Sequence, residues 1–244
     1  MSQKPDYGID APGVVFSFLG GGALLVIAGI TVFKLIASSP WQRLGIIAVI
    51  TGAIFALEGL LMLLYSQYGK FLHRDRMLAM YNWKGDEQVL DVGTGRGLLL
   101  VGAAKKLNSG RGVGIDIWSS EDLSGNAMEK TKQNLSVEGV QDRTELLSES
   151  ACEMSFREGS FDVVLSNLCL HNIPDDVGRI LACREIARVL KPGGVALISD
   201  YKSTRQYAQI FKQRGLEVTR SGMSYWATFP PLRVVKARKA VKQT

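Results

Sequence analysis

The sequence predicts an α/β chain in two parts, a hairpin of apolar helices followed by a mostly parallel sheet with helices on both faces. Three observations carry this. Two long runs near the N-terminus are almost free of charge. From about Gln88 onward, short apolar runs alternate with segments of helical periodicity. The first short run opens directly into the glycine loop Gly93-Thr94-Gly95-Arg96-Gly97.

The hairpin comes first. Between Asp10 and Lys34 lie 23 uncharged residues, and between Arg43 and Lys70 lie 26 with Glu58 as the sole charge. At about 1.5 Å per residue, either run exceeds a hydrocarbon core of about 30 Å. The spans are expected at about 12–34 and 44–66, within a hairpin of residues 1–69. The connector holds Ser38, Ser39, Pro40 and Trp41, which are turn and interface residues. Gly45, Gly52 and Gly59 recur at intervals of seven, and Gly20, Gly21, Gly22 and Gly29 lie in the first run, so small faces can pack closely. Glu58 is expected to face protein, to be protonated, or to lie near headgroups. A cleaved leader is disfavoured, because Lys4 stands against Asp6 and Asp10 ahead of the first run.

Lys70, Arg74, Arg76 and Lys84 follow the second span, whereas the connector holds only Lys34 and Arg43. Positive residues stay inside, so the expectation is a multi-pass integral membrane protein with both termini, and the domain after the second span, cytoplasmic. Residues 1–69 carry no net charge, and the excess of +6 lies beyond them. Arg233, Lys236, Arg238, Lys239 and Lys242 supply much of it, either as a solvated tail or as a patch drawn to the bilayer. Three cysteines with no CxxC pair argue against a disulfide framework or structural zinc, and no metal is expected.

Residues 70–86 read as a linker helix and residues 87–244 as the chemistry-bearing domain. Strand-like runs fall at 89–92, 112–117, 144–147, 161–166 and 195–199, with helices near 98–107, 126–137 and 175–190. The cluster Lys191-Pro192-Gly193-Gly194 reads as a break. In such sheets ligands bind beyond the carboxyl ends of the strands, where the glycine loop lies. Asp116 stands 23 residues after Gly93, placed to accept from ribose hydroxyls. The spacing G-x-G-x-G, with Leu98 where a nicotinamide loop wants glycine, turns the reading away from a dinucleotide.

With these residues in view the chain resembles the class I S-adenosylmethionine-dependent methyltransferases. The matching pieces are VLDVGTGRG (89–97), GIDI (114–117), GSFDVVLS (159–166) and EIARVLKPGG (185–194). The resemblance covers about residues 75–238. It implies a Rossmann-like fold with a seven-stranded, mostly parallel sheet and S-adenosylmethionine as cofactor. It implies that Asp91, Gly93, Thr94, Gly95 and Gly97 hold the methionine end, that Asp116 binds the ribose, and that Ile117 packs on the adenine. By position it also implies Ser150 and Ala151 at the adenine edge and Asn167 near the methyl-donor side. His171 is the candidate general base, needed only if the acceptor must lose a proton. His73 is expected to be solvated or interfacial.

The family's nucleic-acid-methylating branches carry an Asn/Asp-Pro-Pro-aromatic motif after the fourth strand. Here Ser166-Asn167-Leu168-Cys169 stands instead, so no nucleic acid is expected. Partners expected are the lipid bilayer and a small-molecule or lipid-like acceptor. The stretch 118–125 and the segment Tyr225, Trp226, Phe229, Pro230 and Pro231 are candidate acceptor contacts. Three other readings stay open: an arsenite-type or soluble small-molecule methyltransferase, a cofactor-binding scaffold without turnover, and a nicotinamide oxidoreductase.

Overall fold

A computed structural model describes residues 4–36, 38–119, 123–224 and 228–241. The chain divides into two compact units. One comprises residues 9–69 with 121–124, and the other residues 1–8, 70–120 and 125–244.

The first unit holds α1 (Pro12–Leu35) and α2 (Ser39–Leu64), followed by a π-helical turn at Tyr65–Gly69. Proline near the start of each helix costs no hydrogen bond, because first-turn N–H groups have no intrahelical partner. Helix α2 therefore begins at Ser39, ahead of the expected 44, and its α-helical part closes at Leu64 rather than 66. Both helices are long and apolar enough to cross a membrane. The pair is antiparallel and meets along glycines. A Cβ on Gly29 would stand 2.5 Å from the Gly45 carbonyl oxygen, and one on Gly52 would stand 2.6 Å from that of Gly22. Ser66 ties the ends, accepting from the Asp10 N–H and donating to Asp10 Oδ2, both at 3.0 Å. The outer faces stay apolar: Leu24 is 69 % exposed and Ile47 58 %.

The second unit begins with α3 (Lys70–Leu78), which ends well before the expected residue 86. The Trp83 indole N–H donates to the Leu78 carbonyl at 2.8 Å, closing the helix end, and Gly85 turns the chain toward the sheet. Seven strands follow: β1 (Gln88–Val92), β2 (Arg111–Asp116), β3 (Thr144–Ser148), β4 (Phe161–Asn167), β5 (Leu190–Asp200), β6 (Leu216–Arg220) and β7 (Arg233–Lys239). Between them run α4 (Leu98–Ala104), α5 (Met128–Val137), α6 (Asp176–Val189) and α7 (Thr204–Gln213). The sheet order is β3-β2-β1-β4-β5-β7-β6, and only β7 runs antiparallel to its neighbours. This is the Rossmann-like, mostly parallel sheet that the sequence predicts. The 191–194 cluster does not break the chain out of the sheet. It enters β5 as a register shift, with Phe161 opposite Leu190 and Val163 opposite Val195.

Alternation along the strands builds two cores. Val89, Val163, Leu165 and Leu197 pack with Met77 of α3 and Leu99 of α4. Leu90, Val164, Ile198 and Val235 pack with Ile186 of α6 and Phe211 of α7. The strand order reverses between β1 and β4, which leaves a crevice at their carboxyl ends.

Candidate active site

The crevice is built on two carboxylates that bracket the glycine loop. Asp91, near the end of β1, is almost wholly buried. Its Oδ2 accepts from the Thr94 hydroxyl at 2.8 Å and from the Leu100 N–H at 3.0 Å. Asp116 closes β2. Its Oδ2 accepts from the Gly95 N–H at 2.8 Å, and its Oδ1 from the Trp118 N–H at 2.7 Å and the Asn126 amide at 3.2 Å. Gly93, Gly95 and Gly97 all have positive φ (71°, 53° and 83°), which favours glycine at each turn of this loop. Gly114 on β2 makes room as well, since a Cβ there would press on the Thr94 side chain at 2.9 Å. Burial pushes the Asp91 carboxyl up to about 7, and the Asp116 charge adds to the effect. The bonds from Thr94 and Leu100 oppose it.

The segment after β4 closes over this loop. The Cys169 side chain fills the space that a Cβ on Gly93 would occupy. Burial pushes the Cys169 thiol strongly up, and the charges of Asp116, Asp200 and Asp91 push the same way. One thiol therefore lies within the field of all three carboxylates. Two residues on, His171 sits in a short 3-10 turn, with 12 % of its side chain exposed. Its Nδ1 is 2.9 Å from Oδ1 of Asp200, the last residue of β5, which is fully buried. Asp200 also accepts from the His171 N–H at 3.2 Å, the Tyr207 hydroxyl at 3.2 Å and the Tyr201 N–H at 2.8 Å. The Tyr201 ring meets His171 edge-on with centroids 4.7 Å apart.

Other expected residues lie on neighbouring elements. Asn167 lies at the end of β4, paired with Ser199 in the sheet, and its Oδ1 is buried without a hydrogen bond among the described residues. His73 is not solvated as expected. It is buried on α3, with Nε2 2.6 Å from Ser199 Oγ. Burial pushes it down to about 4, with Arg76 adding, so the ring is neutral near pH 7. The Ser150 hydroxyl accepts from the Cys152 N–H at 3.1 Å in a turn, and Ala151 packs against the core. Ile117 is 71 % exposed just past Asp116, a bare apolar side chain where a flat base could rest. Phe229, Pro230 and Pro231 are half-buried ahead of β7. Tyr225 and Trp226, and residues 120–122 of the stretch 118–125, lie outside the described residues.

Sequence reasoning missed Asp200 and a strap ahead of the first helix. The Asp6 carbonyl accepts from the Asn134 amide at 2.8 Å, and the Asp6 carboxylate pairs with Arg96 of the glycine loop at 2.5 Å. The Tyr7 hydroxyl donates to Glu138 at 2.8 Å, and Lys70 Nζ donates to the carbonyls of Tyr7 (2.8 Å) and Gly8 (2.6 Å). Asn134 also donates to the Arg96 carbonyl at 2.9 Å, and the Thr131 hydroxyl to that of Gly95 at 2.6 Å. The visible signal for Asp200 was its place at the end of an apolar run, one strand over from His171. The strap left no such signal.

These features suit a ligand with a cationic end, vicinal hydroxyls and a flat base. Residues 90–198 match the family model of a methyltransferase domain. The 2-phytyl-1,4-beta-naphthoquinone methyltransferase of Arabidopsis thaliana is 32 % identical over 136 residues, 54 % of this chain and 49 % of that protein. The demethylmenaquinone methyltransferase of Staphylococcus carnosus is 31 % identical over 141 residues, 57 % of this chain and 53 % of that one. The arsenite methyltransferase of Aquipseudomonas alcaligenes is 32 % identical over 154 residues, 59 % and 42 % of the two chains. The chain spans about half the length of the curated relatives it matches. Among solved structures, a SAM-dependent methyltransferase from Aquifex aeolicus superposes with a TM-score of 0.54 at 19 % identity, over 68 % of this chain and 88 % of that one. That likeness shows a shared fold.

Proposed function

We propose that this chain, which carries an S-adenosylmethionine-dependent methyltransferase domain, is a membrane-anchored enzyme that methylates a small lipid-like acceptor of the quinone type. The observation that carries the reading is the pair Asp91 and Asp116 on either side of the glycine loop, at the crevice between β1 and β4. The domain match turns the reading away from a nicotinamide oxidoreductase.

When bound, the cofactor supplies a sulfonium methyl group for in-line displacement. Asp91 would hold the cationic methionine end, and the loop of Gly93, Thr94, Gly95 and Gly97 would let backbone approach it. Asp116 would accept from the ribose hydroxyls, and Ile117 would cover the adenine beside Ser150 and Ala151. Asn167 borders the methyl-donor side. The chain's task is to align donor and acceptor and to exclude water.

The bilayer as partner rests on the hairpin. Apolar side chains such as Leu24 and Ile47 cover its outside, while its seam is made of glycine. A water-soluble surface rarely leaves so much contiguous apolar area bare. Arg74, Arg76 and Lys84 after α2 favour a cytoplasmic catalytic unit. Two relatives that act on quinones support the quinone class, and a site tethered at a lipid surface would suit it. The arsenite reading has a relative behind it, but the thiols argue against it. Cys183 of α6 is fully buried in the core and the Cys169 side chain is packed into the space over Gly93, so neither presents an open thiol to an incoming metalloid.

The test uses membranes holding the full chain and S-adenosylmethionine with a labelled methyl group. Label in the organic phase, lost in the Asp91→Ala, Asp116→Ala variant, supports the reading. Variant-sensitive label in aqueous or protein material sinks the lipid-like acceptor. Calorimetric binding of the cofactor without transfer to a panel of quinols would mark a scaffold instead.

A further inference from the structure

We infer that His171 and Asp200 form a base dyad, in which Asp200 positions the ring so that Nε2 takes a proton from a phenolic or enolic hydroxyl of the acceptor. This rests on the methyltransferase reading and narrows its acceptor. The two side chains come from different elements, the turn after β4 and the end of β5, and meet at 2.9 Å between Nδ1 and Oδ1. Asp200 cannot swing away. It is fully buried and held by the Tyr201 N–H, the His171 N–H and the Tyr207 hydroxyl. Every one of these contacts donates to it, so it is an acceptor on all sides. A buried acceptor beside Nδ1 selects the tautomer with the proton on Nδ1, which leaves the lone pair on Nε2.

The Nδ1–H is not aligned on Asp200 in this state, since no hydrogen bond forms at that separation. A ring rotation completes it, and such bonds commonly tighten only when ligands are bound. The location fits the task. Cys169, two residues before His171, packs on Gly93 of the cofactor loop. Tyr201, 41 % exposed, presents an aromatic ring beside the imidazole, and Lys202 Nζ lies 5.4 Å from that ring's centre. An aromatic acceptor can stack there, and the ammonium favours an oxyanion.

The step balances. The hydroxyl proton passes to Nε2, and the imidazolium is stabilised by Asp200. The freed electron pair forms the new bond to the methyl carbon, and the pair of the broken C–S bond returns to sulfur. If the ring carbon beside the hydroxyl is the nucleophile, that carbon loses its proton as the hydroxyl regains one, so one proton is lost overall. An amine that reaches the site unprotonated, or a thiolate, would need no such base.

The chain has two histidines, which makes the dyad visible by nitrogen NMR. The full chain, labelled at histidine, is placed in detergent micelles with S-adenosylhomocysteine, and His171→Gln assigns the signals. His171 is expected as the Nδ1–H tautomer, and Asp200→Asn is expected to abolish that preference while the His73 signal, reporting the fold, stays put. An Nε2–H tautomer in the unaltered chain overturns the dyad, whether or not the variant folds. The second readout is turnover of a demethylated prenyl-naphthoquinol. His171→Gln should lower kcat by about 100-fold or more and Asp200→Asn by about 10-fold, with KM little changed. Unchanged kcat in His171→Gln overturns the dyad. If the unaltered chain ignores that quinol, the quinone reading fails while the tautomer still decides the dyad.

Discussion

Glycine does two different jobs in the two units. In the hairpin, Gly29, Gly45 and Gly52 sit in ordinary helix and matter because nothing projects from them, so a Cβ would strike the facing backbone within about 3 Å. In the loop after β1, glycine matters because φ is positive at all three positions. The first use is a matter between two helices, one making way for the other. The second is local to each residue. Substitutions should therefore fail for different reasons and in different assays.

The largest effect is expected at Gly93, where both reasons coincide. Gly93→Ala adds left-handed strain and a collision with Cys169, and should weaken cofactor binding by about 100-fold or more. Adding Cys169→Gly removes the collision and leaves the strain, so calorimetry should show partial recovery. Full recovery would mean that conformation counts for little there. Next comes Gly52→Val, an overpacked helix seam that should cost about 1–3 kcal/mol in a thermal melt in detergent. Cofactor affinity should not move. If it falls in step, the units are not independent and the contrast breaks.

A pH series sharpens the loop's side of the comparison. Asp91 has a folded pKa raised from its ordinary value to about 7, so the free protein favours its protonated form. Without cofactor, stability should fall as pH rises from about 4 to about 7, because the folded state then binds the extra proton. A cationic ligand needs the ionised form, so cofactor affinity should rise as pH climbs toward 7, by about tenfold per unit, and level off above. Asp91→Asn should flatten that profile. The smallest effect belongs to Asp6→Ala. Its carboxylate is 69 % exposed and its pair with Arg96 is screened by solvent, so cofactor affinity should drop only about two-fold, and less at high salt.

Much of this was legible in the sequence. The order of β1 through β5, the two helices and the bracket of Asp91 and Asp116 follow from local pattern, which the chain wears openly. What escaped depends on distant neighbours. The basic residues at the C-terminus read as a solvated tail or a lipid-seeking patch, yet Arg233–Lys239 is β7, a strand inside the sheet. Val234, Val235 and Ala237 are buried there, while Lys236 reaches the Met80 carbonyl at 2.7 Å and Lys239 that of Leu190 at 2.9 Å. Long stems let lysines lie along the sheet with their ammonium groups on carbonyls, so charge density misled. His73 misled likewise, because nothing near it in the sequence announces Ser199. Asp200 became meaningful only when the sheet set it beside His171.

The strap carries a consequence for any reading in which the hairpin crosses a bilayer. Residues 6–8 belong to the same compact unit as Lys70, joined to it through Arg96, Asn134, Glu138 and Lys70 itself. A chain that leaves a body and rejoins it can cross a bilayer only an even number of times between the two points. The hairpin is thus an excursion from a body whose first residues precede it. Shortening the protein to begin at Lys70 would remove a piece of that body, whereas joining Gly8 to Lys70 through a short polar turn would keep it whole.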